Sequence, residues 1–309
     1  MIHTSAPAKI ILFGEHASRH GKPSMVFAID QRLHAYLEPR DDGKIFINSP
    51  DMGIENAEYP CDSPAHVVGA IKVFFRETGK KGGFSIRTKS EMKQGFGSSG
   101  ASVVATLGAL DAHFGTNLSK EQIFRMGQKT IWEIQGFGSG IDIASSTYGG
   151  IIRFQKDSAP EPVEYRDFPV VIGNTGFKAK SKPIIEKVQV LEKKYPDFYE
   201  TVYGNIGRLT DYAIEAFRSN DMETIGQLMN ANQGMLYSLG VSSDILEKLI
   251  FASRNAGALG VKLSGAGIGD NMIALAPLGQ QERIADAIRK AGGEPTIARI
   301  DEGLRVEGQ

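Results

Sequence analysis

Three glycine-dense stretches, at residues 95–100, 136–140 and 265–269, restrict this chain more than any other feature. Each adjoins an apolar run, so each marks a place where the backbone turns sharply or approaches something a side chain would block. The first reads Gly95-Phe96-Gly97-Ser98-Ser99-Gly100 and leads into a small-residue, apolar helical run at 101–114. Its letters fit G-x-G-x-x-G, but a dinucleotide fingerprint needs a strand immediately before it and an acid about 20 residues on. Here Lys89-Ser90-Glu91-Met92-Lys93-Gln94 precedes the loop, and residues 114–117 hold no acid. No G-x-x-x-x-G-K-[ST] run occurs, which excludes a P-loop. General phosphate chemistry is still open to the segment, through close backbone N–H groups, a helix N-terminus and two serine hydroxyls. A tight turn with helix-capping serines uses the same residues.

Around these loops the apolar periodicity alternates between strand and helix. Strands are expected at 10–13, 25–29, 33–37 and 84–88, with an amphipathic helix at 66–76. Ser119 with Gln122 forms a capping-box pattern and starts a helix that ends near 135. A strand at 151–154, a surface hairpin or linker at 155–167 and a strand at 169–173 follow. Long charged helices fill 183–239, and a helix at 244–256, a strand at 272–275, a helix at 280–291 and a strand at 296–300 complete the chain. At roughly 100–200 residues per domain, 309 residues make two domains, and the composition shift places them at 1–170 and 171–309.

Composition narrows the function. A net charge of −1 argues against a general nucleic-acid binder. The single cysteine, Cys61, excludes a disulfide framework and suits a reducing, cytoplasmic setting. No apolar run reaches the roughly 18–20 residues of a membrane span, and the N-terminus does not read as a signal peptide.

Two other loops carry candidate chemistry. Gly138-Ser139-Gly140-Ile141-Asp142 presents an acid that suits a general base, or a helix N-cap. Lys262-Leu263-Ser264-Gly265-Ala266-Gly267-Ile268-Gly269 suits close backbone approach to a ligand, or a packing turn. Lys9 lies just before a buried strand and Glu15-His16 just after it.

Together these segments resemble the GHMP small-molecule kinases, and within them the archaeal mevalonate kinases. The resemblance rests on Ala6-Pro7-Ala8-Lys9-Ile10-Ile11-Leu12-Phe13-Gly14-Glu15-His16-Ala17, on Gly95-Phe96-Gly97-Ser98-Ser99 and on Lys262-Leu263-Ser264-Gly265-Ala266-Gly267. Gly140-Ile141-Asp142, Gly173-Asn174-Thr175-Gly176 and Asn232-Gln233-Gly234 add to it. It covers nearly the whole chain. It implies an α+β fold, with an N-terminal α/β domain and a C-terminal ferredoxin-like domain. It also implies a kinase that uses ATP and Mg2+, with a small-molecule alcohol as acceptor and no nucleic-acid or membrane partner; a homodimer is compatible with it.

Carried over residue by residue, Asp142 is the base and Lys9 stabilises charge on the transferring phosphoryl group. Lys93, Gln94, Gly95, Phe96, Gly97, Ser98, Ser99, Gly100 and Ala101 hold the ATP phosphates, supported by Gly265, Ala266 and Gly267. Glu15, His16, Arg19, Ser139 and Thr175 line the acceptor pocket, and Ser99 and Glu133 are the candidate metal ligands.

The chain departs from the family pattern in ways that bear on chemistry. Ile131 stands where the family has its magnesium-binding Glu, and Glu133 is the nearest acid. Gly100 replaces an Ala, and Asp270 replaces a Gly in the third motif. Ser18 and Arg19 follow Ala17 where apolar residues are common, and Lys178, Lys180 and Lys182 follow Thr175. These cations suit either solvent or an acceptor more anionic than mevalonate. The leading expectation is phosphorylation of mevalonate at its primary alcohol. The alternatives are a phosphorylated mevalonate, sugar or other polyol as acceptor, and a non-catalytic ATP-binding relative.

Overall fold

The computed structural model describes residues 1–92, 95–136, 138 and 140–307. In chain order its elements begin β1 (Ile2–Phe13), β2 (Ser24–Arg40), β3 (Ile45–Ser49), β4 (Ile54–Glu58), α1 (Ala65–Thr78), β5 (Gly83–Ser90), α2 (Ser98–Phe114), α3 (Lys120–Gln135) and α4 (Ile141–Tyr148). They continue β6 (Ile151–Phe154), β7 (Glu161–Val163), β8 (Val170–Asn174), α5 (Ser181–Lys194), α6 (Pro196–Arg218), α7 (Met222–Ser238) and α8 (Asp244–Asn255). The last are β9 (Gly260–Ser264), β10 (Asn271–Leu275), α9 (Gln281–Lys290), β11 (Glu294–Ala298) and β12 (Arg305–Val306). No helix among the described residues is long and apolar enough to cross a membrane.

Composition places one cut in the chain at 170/171. The compact units instead exchange chain at 9/10, 27/28, 150/151 and 300/301: one takes Met1–Lys9, Ala28–Gly150 and Asp301–Gln309, the other Ile10–Phe27 and Ile151–Ile300. The long strands cause this. β2 is continuous where the sequence suggests two runs separated by polar Asp30 and Gln31. Its first residues, Ser24 to Phe27, pair with β6, and Leu33 to Arg40 pair with β5.

In the first unit the strand order is β12-β1-β2-β5-β3-β4, with β3 parallel to β5. The β3–β4 hairpin has no counterpart in the sequence reading. α2 is buried from Gly100 through Leu110 except for Ser102, which its run of small residues permits. A Cβ on Gly108 would stand 2.7 Å from Leu304 Cδ1, so the returning C-terminal segment packs directly on this helix. Arg32 fastens that segment. It is buried on β2 and donates to Asp301 Oδ2 at 2.7 Å, to the carbonyls of Glu302 and Gly303 at 3.1 and 2.8 Å, and to Ser5 Oγ at 2.6 Å. α3 opens on the expected capping box, in which Gln122 N donates to Ser119 Oγ and Ser119 N to Gln122 Oε1.

In the second unit β8, β9, β10 and β11 form an antiparallel sheet in the order β11-β8-β10-β9. Numbered within that sheet, the order is fourth-first-third-second, with α9 between the last two strands. This is the ferredoxin-like split βαβ arrangement expected for the C-terminal half. Val171, Leu263, Met272 and Ile288 share its core with Tyr203, Leu236 and Leu249.

Candidate active site

In the first unit, Lys9 ends that unit's share of β1 and Asp142 lies in the first turn of α4. Lys9 Nζ stands 2.9 Å from Asp142 Oδ1, with the lysine side chain 13% and the aspartate side chain 46% exposed. Oδ1 itself is buried, so the exposure lies on the rest of the carboxylate. Asp142 does not cap its helix; Gly140 does, at φ 82°. The glycine-serine loop is built against this pair. Lys9 N donates to Phe96 O at 3.1 Å, and Phe96 is buried as the loop's anchor. A Cβ on Gly97 would come within 2.9 Å of Lys9 Cε, and one on Gly100 within 3.0 Å of Asp142 Cβ.

α2 begins at Ser98, earlier than the expected 101, because Gly97 takes a left-handed conformation (φ 77°) and closes the loop onto the helix. The N-cap residue Gly97 has no side chain to cap α2, and an α-helix leaves its first N–H groups without intrahelical partners. With a helix dipole behind them, they form an anion-binding terminus. Ser98 is exposed and Ser99 half-buried beside them. Lys93, Gln94 and Ser139, expected at the phosphates and the acceptor, lie outside the described residues.

The metal expectation needs correction at Glu133. Its carboxylate lies against α1, 2.6 Å from Arg76 and 3.8 Å from Lys72, and the Arg76 guanidinium holds its pKa below the usual carboxylate value. The offset from position 131 turns it about 200° around the α3 axis. Position 131 is the one that approaches the second glycine loop: a Cβ on Gly138 would stand 3.1 Å from Ile131 Cγ2. An isoleucine there offers no ligand. Among the described residues no cluster of His, Cys, Asp and Glu could hold a metal. Ser99 is the expected ligand that remains.

In the second unit the third motif and the Glu15-His16 turn come together. Gly260–Ser264 forms β9, where the sequence reading places a loop from 262 onward. Ser264 Oγ donates to Ile11 O at 2.8 Å and accepts from Ile11 N at 3.1 Å, which ties the motif to β1. His16 Nε2 lies 3.0 Å from Ala266 O. A carbonyl only accepts, so Nε2 carries the proton and the neutral ring leaves Nδ1 as an acceptor. Burial, opposed by the bond to Ala266 and aided by the charges of Arg19 and His20, lowers the His16 pKa to about 4.

Four expected acceptor or ATP contacts change meaning here. Glu15 is wholly buried, with Lys262 Nζ bonded to Oε1 and Asn232 Nδ2 3.3 Å from Oε2, so it is a core group. Gly267 is a packing glycine, because a Cβ would strike Val241 O at 2.1 Å; Gly265 meets nothing within 4 Å. The Ala266 carbonyl serves His16. Thr175 Oγ1 donates to Asp270 O at 3.2 Å and lies 3.3 Å from Phe177 O, which uses it within its own turn.

Asp270, whose charge would oppose phosphate, points elsewhere. Its Oδ1 accepts from Ala179 N at 3.3 Å, its N donates to Phe177 O at 2.8 Å, and its carbonyl accepts from Thr175 N at 2.8 Å. It braces the segment that bears Lys178, Lys180 and Lys182, all exposed. Arg19 is exposed on the turn after His16 and donates its N–H to His16 O at 3.1 Å.

Sequence reasoning missed Lys262 as a functional candidate, although a charge inside the apolar run Val261-Lys262-Leu263 is a readable anomaly. It also passed over Gln128, whose Nε2 would lie 2.5 Å from a Cβ on Gly140. Nothing in the sequence marks that neighbour of the Asp142 turn.

Comparison with known proteins agrees with this geometry. The family models for the GHMP kinases N terminal domain and the GHMP kinases C terminal match residues 65–150 and 213–294. The mevalonate kinase of Pyrococcus abyssi (strain GE5 / Orsay) is 39% identical over 330 aligned positions, covering 99% of this chain and 98% of the relative. The crystal structure of L. major mevalonate kinase in complex with R-mevalonate is 25% identical, covers 96% of this chain and 95% of its own, and superimposes with a TM-score of 0.81. Streptococcus pneumoniae phosphomevalonate kinase in complex with phosphomevalonate and AMPPNP shares the fold at a TM-score of 0.85, with 19% identity and coverage of 97% of this chain and 100% of that one.

Proposed function

The chain belongs to the GHMP kinase family, and from that premise we propose that it transfers the γ-phosphoryl group of ATP to the primary alcohol of mevalonate. One observation carries the reading: the Lys9–Asp142 pair is set directly against the glycine-serine loop and the start of α2. The 39% identity over nearly the whole chain to a mevalonate kinase supports mevalonate as the acceptor.

In this reading the N–H groups of Ser98, Ser99 and Gly100 receive the triphosphate, with the serine hydroxyls beside them. The acceptor oxygen attacks the γ-phosphorus as the bond to the ADP oxygen breaks. Its proton passes to the open side of the Asp142 carboxylate, while Lys9 offsets charge on the phosphoryl oxygens. Catalysis is then mainly positioning and electrostatics, as phosphoryl transfer requires. His16 is the residue proposed to recognise the acceptor, through Nδ1, a hydrogen-bond acceptor suited to a hydroxyl.

The described residues do not build a protein-held magnesium site, since Glu133 pairs with α1 cations and position 131 is apolar. Mg2+, if bound with ATP, would neutralise charge on the phosphates, and Ser99 is the described residue whose hydroxyl would help hold it.

The test is ADP release from Mg-ATP with mevalonate, phosphorylated mevalonate and a panel of sugars. Mevalonate turned over at least tenfold faster than the others supports the proposal. A preference for the phosphorylated acceptor would shift the reading to Arg19 and the lysine-bearing segment, and no turnover on any alcohol would leave an ATP-binding protein.

A further inference from the structure

His16 occupies a backbone conformation that side chains other than glycine's rarely adopt. Its φ is 60° and its ψ −49°, and Ala17 N donates to Glu15 O at 2.7 Å across it. That is a three-residue γ-turn with positive φ at its centre, a rare and strained form. Strain of this kind persists only where the surroundings over-determine it.

The surroundings here are ionic. Glu15, the first residue of the turn, has a side chain with no exposure, and so has Lys262 of β9. Lys262 Nζ donates to Glu15 Oε1 and, at 2.7 Å, to Leu263 O. Asn232 of α7 donates to the other carboxylate oxygen at 3.3 Å, and its own Oδ1 is buried with no hydrogen-bond partner. Four residues beyond Lys262, the carbonyl of Ala266 receives the His16 ring. The strand and the loop that follows it thus grip the turn twice: β9 by charge at residue 15, and Ala266 just beyond it by a hydrogen bond at residue 16.

A buried ion pair is a costly way to hold a core together, since matched apolar side chains would stabilise it as well or better. What the pair adds is direction: a carboxylate fixed from two sides admits one placement of its backbone. We infer that Lys262 is a positioning residue for the acceptor reaction, acting through Glu15, with Asn232, to hold the strained turn that presents His16. Glu15 then makes no contact with the acceptor, contrary to its expected place in the pocket. This rests on the proposed kinase function, in which His16 meets the acceptor.

The experiment compares the wild type with the charge-free double variant Glu15→Gln/Lys262→Met and with Asn232→Leu, which leaves the ion pair in place. Wild-type turnover of mevalonate tests the functional reading by itself. The His16 ring is then titrated by NMR in each folded protein without substrate, which reads positioning whatever the acceptor. The double variant is expected to raise the mevalonate KM at least tenfold with the ATP KM within twofold. Its His16 titration is expected to move up from about 4 by a unit or more, because the loosened ring regains water and relief of burial outweighs the loss of the Ala266 bond, which alone would lower it. Asn232→Leu should raise the mevalonate KM about threefold. Should the double variant fail to fold, Asn232→Leu decides alone. A folded variant with unchanged mevalonate KM and unchanged His16 titration overturns the assignment and makes the pair ordinary core.

Discussion

Gly100 and Asp142 approach so closely that a Cβ built on the glycine would stand 3.0 Å from the Cβ of the aspartate and 3.1 Å from its carbonyl oxygen. The start of α2 and the first turn of α4 are therefore in direct backbone contact, and the family's usual alanine has been exchanged for a residue without a side chain. Gly100→Ala should fold and bind ATP, but must displace Asp142 by a few tenths of an ångström. A shift of about 1 Å can cost about 100-fold in rate, so a loss of roughly 3–10-fold in kcat is expected. Steady-state kinetics at saturating ATP checks it, and an unchanged kcat would show that α4 yields freely.

Asp142→Asn keeps the shape of the side chain and removes its capacity to accept a proton. Turnover should fall by about 100- to 10,000-fold, the usual worth of a positioned acid or base. ATP affinity by calorimetry should stay within a few-fold. Lys9→Met should likewise lower kcat more than it weakens ATP; a rise in the ATP KM alone would contradict its role.

Glu133→Gln separates a metal ligand from a surface partner. Its carboxylate is shared between Arg76 and Lys72 at the helix surface. The substitution should cost under about 1 kcal/mol of stability. The Mg2+ dependence of turnover should be unchanged within twofold, and a tenfold rise in the Mg2+ requirement would return Glu133 to the site.

Arg32→Met tests the fastening of the C-terminal segment. It strips Asp301 of its buried partner and removes the N–H groups from which the carbonyls of Ser5, Glu302 and Gly303 accept. Removing one member of a buried pair costs about 3–5 kcal/mol. Urea denaturation should show that loss, while kcat of the folded protein at 25 °C changes little.

His16 makes stability depend on pH. It is a base whose pKa in the fold, about 4, lies below the ordinary 6.5. Between those values the unfolded chain takes up a proton that the native ring refuses. Stability is unaffected by this group above about 6.5 and falls by about 1.4 kcal/mol per unit as pH drops below it, roughly 3 kcal/mol by pH 4. Denaturation at pH 7.5 and 5 should show the decline, and His16→Gln should remove that part of it.

The sequence by itself determined the parts of this protein that depend on local backbone chemistry. Gly95, Gly97 and Gly140 each adopt a positive φ, the conformation that marks such loops in any fold. Ser119 and Gln122 cap α3 through bonds three residues apart, and the periodicity of residues 66–76 marked α1, which runs Ala65–Thr78. Lys9, Asp142 and His16 stand out as candidates because they sit in short motifs, Asp142 just after Gly140 and Lys9 and His16 on either side of Gly14. The tertiary structure alone decided what distant side chains do to one another. Glu15 is separated from Lys262 by 247 positions, and only the fold makes them a buried pair. Glu133, a candidate metal ligand in the sequence, pairs with Arg76 across α3 and α1. Asp270 became a brace for residues 175–179, and Arg32 a clasp for the C-terminus. Charge and burial act over distances in space, and separation along the chain carries no record of them.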